Sequence, residues 1–130
     1  MKPSAVTSYL VDRLNFASER QKIISSNIAN VNTPNYKAKD LVFADELAKT
    51  NSLELAKTSP KHIDIKAPIA DKKFGLIQKK GIEQNDGNNV NLDTEISEMS
   101  KNNIMFEAIQ TSIKKDSTWF KLMLDSSGKI

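Results

Sequence analysis

The chain has 130 residues, which is the length of one domain, and 38% of them are hydrophobic and 6% aromatic. Because this is a thin supply of apolar side chains for a compact globule, we expect much of the apolar surface to be buried against copies of the chain or other proteins. The absence of cysteine excludes disulfides and thiolate metal sites, and a net charge of +3 is too small to indicate nucleic-acid binding.

An amphipathic helix is predicted from about Pro3 to Ala29. Its apolar residues recur with the alternating three-and-four spacing of a coiled-coil seam. Gln21 interrupts this seam, and a polar residue at such a position can fix the register of a helix pair. We therefore expect the helix to pack lengthwise against another helix. The apolar seam residues are Leu10, Leu14, Ala17, Ile24 and Ile28.

The first helix is predicted to end in a sharp turn. Pro34 has no backbone N–H and disfavours helical angles at Thr33, and Asn35 tolerates a left-handed backbone. Tyr36, just outside the helix, is either a packing residue or an anchor between subunits. These local rules explain a turn but not why one particular set of residues occurs together. The set is Asn27, Ala29, Asn30, Thr33, Pro34, Tyr36 and Lys37.

A small irregular middle segment is predicted over residues 37–90, between the end segments 1–36 and 91–130. A short helix is expected from Val42 to Lys49, and residues 62–66 and 74–78 have the pattern of short strands. Pro60 and Pro68 bracket the first of these strands, as expected for an edge strand or an extended arm. This middle segment is too small for a core of its own.

A second amphipathic helix is predicted from about Leu92 to Leu124. Asn91 is suited to be its N-cap, and Asp93 and Glu95 would interact favourably with the helix dipole. Polar residues occupy several seam positions, and a further apolar stripe lies on one flank, which indicates more than one packing partner. The apolar seam residues are Leu92, Ile96, Met99, Phe106, Ile113, Phe120 and Leu124.

These elements predict a mainly α protein in which two long terminal helices pack as a coiled-coil-like pair beside a small irregular or β middle segment. We expect no catalytic, cofactor or metal site. His62 is the single histidine, and the turn at Asp86 lacks the ligand spacing of a calcium loop. No apolar run approaches the roughly 18–20 residues of a membrane span, and the N-terminus lacks the apolar region of a cleaved signal.

The residues Ala29-Asn30-Val31-Asn32-Thr33-Pro34-Asn35-Tyr36-Lys37, after a long amphipathic helix, resemble the signature of the bacterial flagellar axial proteins of the rod and hook. A second segment, DGNNVNLDTE, resembles the short proximal rod subunits of that family. The residues of this second motif are Asp86, Gly87, Asn88, Val90, Asp93 and Glu95.

The resemblance implies a structural subunit, not an enzyme, that assembles by helix packing into a drive shaft transmitting torque from the membrane ring and surrounding the export channel. It implies as partners the chain itself, other rod proteins, the membrane-ring protein, the export gate and the rod-base adaptor. It also implies a place in the periplasmic rod, reached through the flagellar type III system without a cleaved signal peptide. Two alternatives are another short rod subunit and a helical adaptor or export chaperone, although the latter would not need the turn at Thr33 and Pro34.

Overall fold

The computed structural model of the chain describes residues 5–44 and 73–127. In chain order the elements are helix α1 (Ala5–Ala29), strand β1 (Lys39–Phe43), strand β2 (Phe74–Gln78) and helix α2 (Leu92–Ser127). The two long helices pack against each other, and the strands form a two-stranded sheet beside α1. This architecture confirms the predicted mainly α fold with a small β segment.

The two helices run antiparallel. Thr7 near the start of α1 contacts Asp116 late in α2, while Asn27 near the end of α1 contacts Glu95 in the first turn of α2. With 25 residues α1 is about 37 Å long, and with 36 residues α2 is about 54 Å long. The end of α2 therefore runs beyond the described part of α1. The buried hydrophobic residues of the described chain are few: Ala17, Ile24, Ala38, Val90 and Ile109.

The sheet is antiparallel, with Lys39 opposite Gln78 and Phe43 opposite Phe74. The strand expected at residues 74–78 is confirmed. The helix expected from Val42 is wrong at its start, because Val42 and Phe43 belong to β1. The rest of that expected helix and the expected strand at 62–66 lie outside the described residues. The local apolar spacing favoured a helix, but pairing with a strand far away in sequence determined the outcome.

Three phenylalanine rings attach the sheet to α1. Phe16 of α1 stacks on Phe43 with ring centroids 4.4 Å apart, and Phe74 meets both rings edge-on at 5.4 and 5.3 Å. The Arg13 guanidinium lies 4.2 Å from the centroid of the Phe43 ring. Aromatic pairs of this geometry are worth about 0.5–1.5 kcal/mol each beyond their buried area. The cluster thus fixes the position of the sheet on one side of α1.

Two properties of the described residues bear on function. Neither α1 nor α2 has a stretch that is apolar enough to cross a membrane. Within the described ranges, no three histidine or acidic side chains come together in a way that could hold a metal ion. The polar contacts between the helices are the feature from which a functional site can be built.

Candidate functional site

The turn that ends α1 has a defined geometry. The Tyr36 N–H donates to the Thr33 carbonyl at 3.3 Å, and Asn35 has a φ of 58°. Proline in the second position and a positive φ in the third are the requirements of a type II turn. The expected left-handed conformation of Asn35 is therefore present. Asn30 supports the turn, since its Nδ2 donates to the Ser26 carbonyl at 2.8 Å and its Oδ1 accepts the Thr33 hydroxyl at 3.1 Å.

Asn88, from the second motif, caps the C-terminus of α1. Its Nδ2 donates to the carbonyl oxygens of Asn30, Val31 and Thr33 at 2.9, 3.1 and 2.8 Å. Its Oδ1 accepts the Val90 N–H at 2.7 Å, and the side chain is fully buried. These carbonyls belong to the residues that directly follow α1, where the chain leaves the helical hydrogen-bond pattern. A residue more than fifty positions away in sequence bonds all three, which brings the two predicted motifs together.

The turn of the second motif packs against the turn of the first. The Asn35 N–H donates to the Asp86 carbonyl at 2.9 Å, and Lys37 Nζ donates to the Gly87 carbonyl at 2.7 Å. Gly87 has a φ of 77°, and a Cβ at this position would lie 2.5 Å from Asn35 Oδ1. Glycine is needed here both for the backbone angle and for the close approach of the two turns.

Asn27 lies at the centre of the site and is fully buried. Its Nδ2 donates to the Lys39 carbonyl at 2.8 Å and to Glu95 Oε2 at 3.0 Å. Its Oδ1 accepts the Lys39 N–H at 3.0 Å and the Tyr36 hydroxyl at 3.2 Å. One amide side chain thus links α1, the turn after it, β1 and α2. We call this junction, built from Asn27, Tyr36, Asn88 and Glu95, the helix joint.

Glu95 makes a further contact within the helix joint, and Asn89 lies beside the joint. Glu95 is 2% exposed, and its second oxygen accepts Lys79 Nζ at 2.7 Å, so the buried charge is paired. The Asn89 side chain bridges the end of the sheet, accepting the Ala38 N–H at 2.7 Å and donating to the Lys79 carbonyl at 2.9 Å. The sequence analysis placed Glu95 in the second motif and against the helix dipole but did not predict its burial, and it did not single out Asn89 or Lys79 as site residues. The density of asparagines over residues 85–91 was the one signal that could have indicated them.

Arg20 makes a second link between α1, β1 and α2. It holds Asp40 of β1 with two hydrogen bonds of 2.8 and 2.9 Å and donates to Glu98 of α2 at 2.9 Å. Burial by itself raises the pKa of Asp40, but the hydrogen bonds from Arg20 and the Leu41 N–H outweigh it, so the pKa lies below its usual range. The pKa of Glu98 is also lowered: burial opposes the change, and hydrogen bonding to Lys101 with the charge of Arg20 brings it about.

The predicted seam residues divide into buried and exposed sets. In α1, Ala17 and Ile24 are buried, and Leu10, Leu14 and Ile28 are half-buried. In α2, the three half-buried members are Met99, Phe106 and Ile113. The four exposed members of α2 are Leu92, Ile96, Phe120 and Leu124. Of the other predicted site residues, Val90 is buried beside the helix joint, whereas five are exposed: Ala29, Thr33, Pro34, Asp86 and Asp93.

Comparison with known proteins places this geometry in context. A family model described as a flagella basal body rod protein matches residues 10–37, ending on the turn after α1. The chain is 36% identical over 108 residues to the flagellar basal body rod protein FlgB of Bacillus subtilis, covering 82% of each chain. It is 36% identical to FlgB of Buchnera aphidicola over 88% of this chain and 90% of that one, and 31% identical to FlgB of Escherichia coli over 82% and 83%.

Proposed function

The chain belongs to the FlgB family of flagellar basal body rod proteins, and we propose that its two signature motifs form the helix joint in order to fix how α1 and α2 are presented to neighbouring subunits. Its role is that of a structural subunit of the flagellar rod. The single observation that carries the proposal is the Asn88 side chain, which belongs to the second motif and caps the helix that the first motif ends.

The exposed apolar surface of α2 supports packing between subunits. Phe120 and Leu124 are 45% and 51% exposed, and they lie beyond Asp116, which contacts Thr7 near the start of α1. A monomeric protein rarely exposes such a run of large apolar side chains without a partner for it. In our proposal, helices of neighbouring copies cover this surface and build a tube around the export channel. Torque from the membrane ring then passes through these helix contacts.

The remaining partners follow from the same proposal. A proximal rod subunit would contact the membrane-ring protein, the export gate and the rod-base adaptor as well as other rod proteins. It would reach the periplasmic rod through the flagellar type III system without cleavage of a signal peptide. Similarity over more than four fifths of the chain to rod proteins favours this role over that of a cytoplasmic adaptor or export chaperone.

Introduction of a charge on the exposed part of α2 tests the proposal. Phe120→Asp should abolish swimming and prevent recovery of assembled rods, because a carboxylate cannot be buried in an apolar contact between subunits without a large desolvation cost. The free energy of unfolding of the purified subunit should change by less than about 0.5 kcal/mol, since Phe120 is exposed. Thr118→Asp, on the outward face of the same helix, is the matched control and should swim. Normal swimming of the Phe120→Asp strain would contradict the proposed packing surface.

A further inference from the structure

The face of α2 that lies against α1 carries a polar residue where a coiled coil would carry an apolar one. Glu95, Asn102, Ile109 and Asp116 are seven residues apart, and three of these four are polar. Each polar member has a partner on α1: Glu95 accepts from Asn27, Asn102 donates to Ala17 and Gln21, and Asp116 accepts the Thr7 hydroxyl. The contact between the helices is therefore specified by hydrogen bonds as well as by apolar packing.

Asn102 is the most enclosed polar residue in the middle of this contact. It is 3% exposed, and its Nδ2 donates to the Ala17 carbonyl at 2.8 Å and to Gln21 Oε1 at 3.0 Å. Hydrogen bonds are directional, so Asn102 can keep both of these hydrogen bonds at only one rotation of α2 about its axis. At any other rotation a buried amide and the Gln21 side chain would lose their hydrogen bonds.

The apolar flank of α2 lies to one side of this polar row. Leu92 and Ile96 are about 60° and 100° around the helix from Glu95. They are 42% and 49% exposed. Hydrophobic packing alone favours a different rotation of α2, in which this flank turns toward α1 and is buried.

An open groove lies between the helices on the same side as the apolar flank. It has a volume of about 560 Å³, and α2 lines it with Asn102, Asn103 and Phe106. Asn103 is seven residues from Ile96, so the groove lies on the same flank of α2 but about two helical turns farther along it. The residues that line the groove from α1 are Ala17, Ser18, Gln21, Lys22 and Ser25.

We propose that Asn102 and Glu95 are positioning residues that, through Gln21 and Asn27 of α1, set the rotation of α2, so that the flank containing Leu92 and Ile96 is held away from α1 and remains available to neighbouring subunits. The rotation is a property of the single subunit. Only the use of the exposed flank by neighbours rests on the proposed function, so the two ideas can fail separately.

Cysteine labelling measures the rotation directly, because the native chain has no cysteine. Ile96→Cys reports on the apolar flank, and Met105→Cys, with Met105 50% exposed on the other flank, is the internal reference. Each is introduced into the full native chain and into the double variant Glu95→Leu with Asn102→Leu, in which the two buried polar residues of the α2 row become apolar. Labelling rates with a soluble maleimide are then compared at equal protein concentration, on the purified subunit.

We expect the double variant to remain folded and the labelling rate at position 96 to fall at least tenfold, while the rate at position 105 stays the same or rises. Asn15→Leu, which adds an apolar side chain at an exposed position of α1, should leave both rates unchanged. Equal rates at position 96 in the native and double-variant backgrounds would overturn the proposal. Unfolding of the double variant, seen as fast labelling at both positions, would also overturn it, because the two polar residues would then be required for folding and not for the choice between two packings.

Discussion

Replacement of Asn88 by alanine removes the cap that joins the two motifs. The Asn88 Nδ2 group carries two hydrogens, so its contacts with the carbonyls of Asn30, Val31 and Thr33 amount to two hydrogen bonds, one of them shared. The Oδ1 atom accepts a third hydrogen bond from Val90. At about 1 kcal/mol net for each hydrogen bond, Asn88→Ala should lower the free energy of unfolding by about 2–4 kcal/mol. That is a large fraction of the roughly 5–15 kcal/mol that stabilises a domain of ordinary size.

Urea unfolding followed by circular dichroism gives the free energy of each variant of the full chain. Asn103→Ala is the matched control, because Asn103 is an exposed asparagine of α2, and its change should stay within about 0.7 kcal/mol. Asn88→Asp, which has nearly the same shape, should be less stable than Asn88→Ala at pH 7, since an ionised oxygen would face the α1 carbonyls. If Asn88→Ala lost no more stability than Asn103→Ala, the joining role of Asn88 would be wrong.

Three further changes test neighbouring parts of the site. Gly87→Ala should cost about 1–3 kcal/mol in urea unfolding, because the residue has a φ of 77° and its Cβ would meet Asn35; a loss below 0.5 kcal/mol would contradict the close approach of the turns. Pro34→Ala should impair rod assembly by letting α1 continue, whereas Asn35→Gly should assemble normally; the reverse outcome would refute this account of the turn. The lowered pKa of Asp40 means that its contribution is present above its unfolded pKa of about 3.9 and is lost as the pH falls through the folded value. Stability should therefore decrease on acidification below about pH 5, and Asp40→Asn should make that decrease shallower; an unchanged slope would exclude Asp40 as a source of the decrease.

The elements with strong local signals were predictable from the sequence. The end of α1 at Ala29 follows from Pro34, and the start of α2 follows from Asn91, whose Oδ1 accepts the Thr94 N–H at 3.1 Å. Strand β1 was not predictable, because its five residues are defined by pairing with β2 and by the Phe16 ring, and neither is visible in the local pattern.

The polar part of the site was the hardest to predict. Asn27 and Asn88 were selected by resemblance, but nothing in a single sequence shows that an asparagine is fully buried. Polar residues are usually exposed. Glu95 is buried because Lys79 and Asn27, which are distant in sequence, both bind its carboxylate in the folded chain. The apolar heptad of α2 lies beside the polar row that meets α1, and the local pattern does not show which of the two rows faces α1.

The hydrogen bond of 2.9 Å from the Ala44 N–H to the Lys73 carbonyl has a consequence for the evolution of the chain. It brings Ala44 and Lys73, the described residues that flank positions 45–72, side by side at the end of the sheet farther from the helix joint. The entropy of closing a loop rises only with the logarithm of its length, by about 0.6 kcal/mol for each doubling. Insertions of very different size can therefore be accommodated between Ala44 and Lys73 with little effect on the stability of the helix pair. This position is where a lineage could add or remove whole surface modules, and where an affinity tag could be inserted, while the helix joint is inherited unchanged.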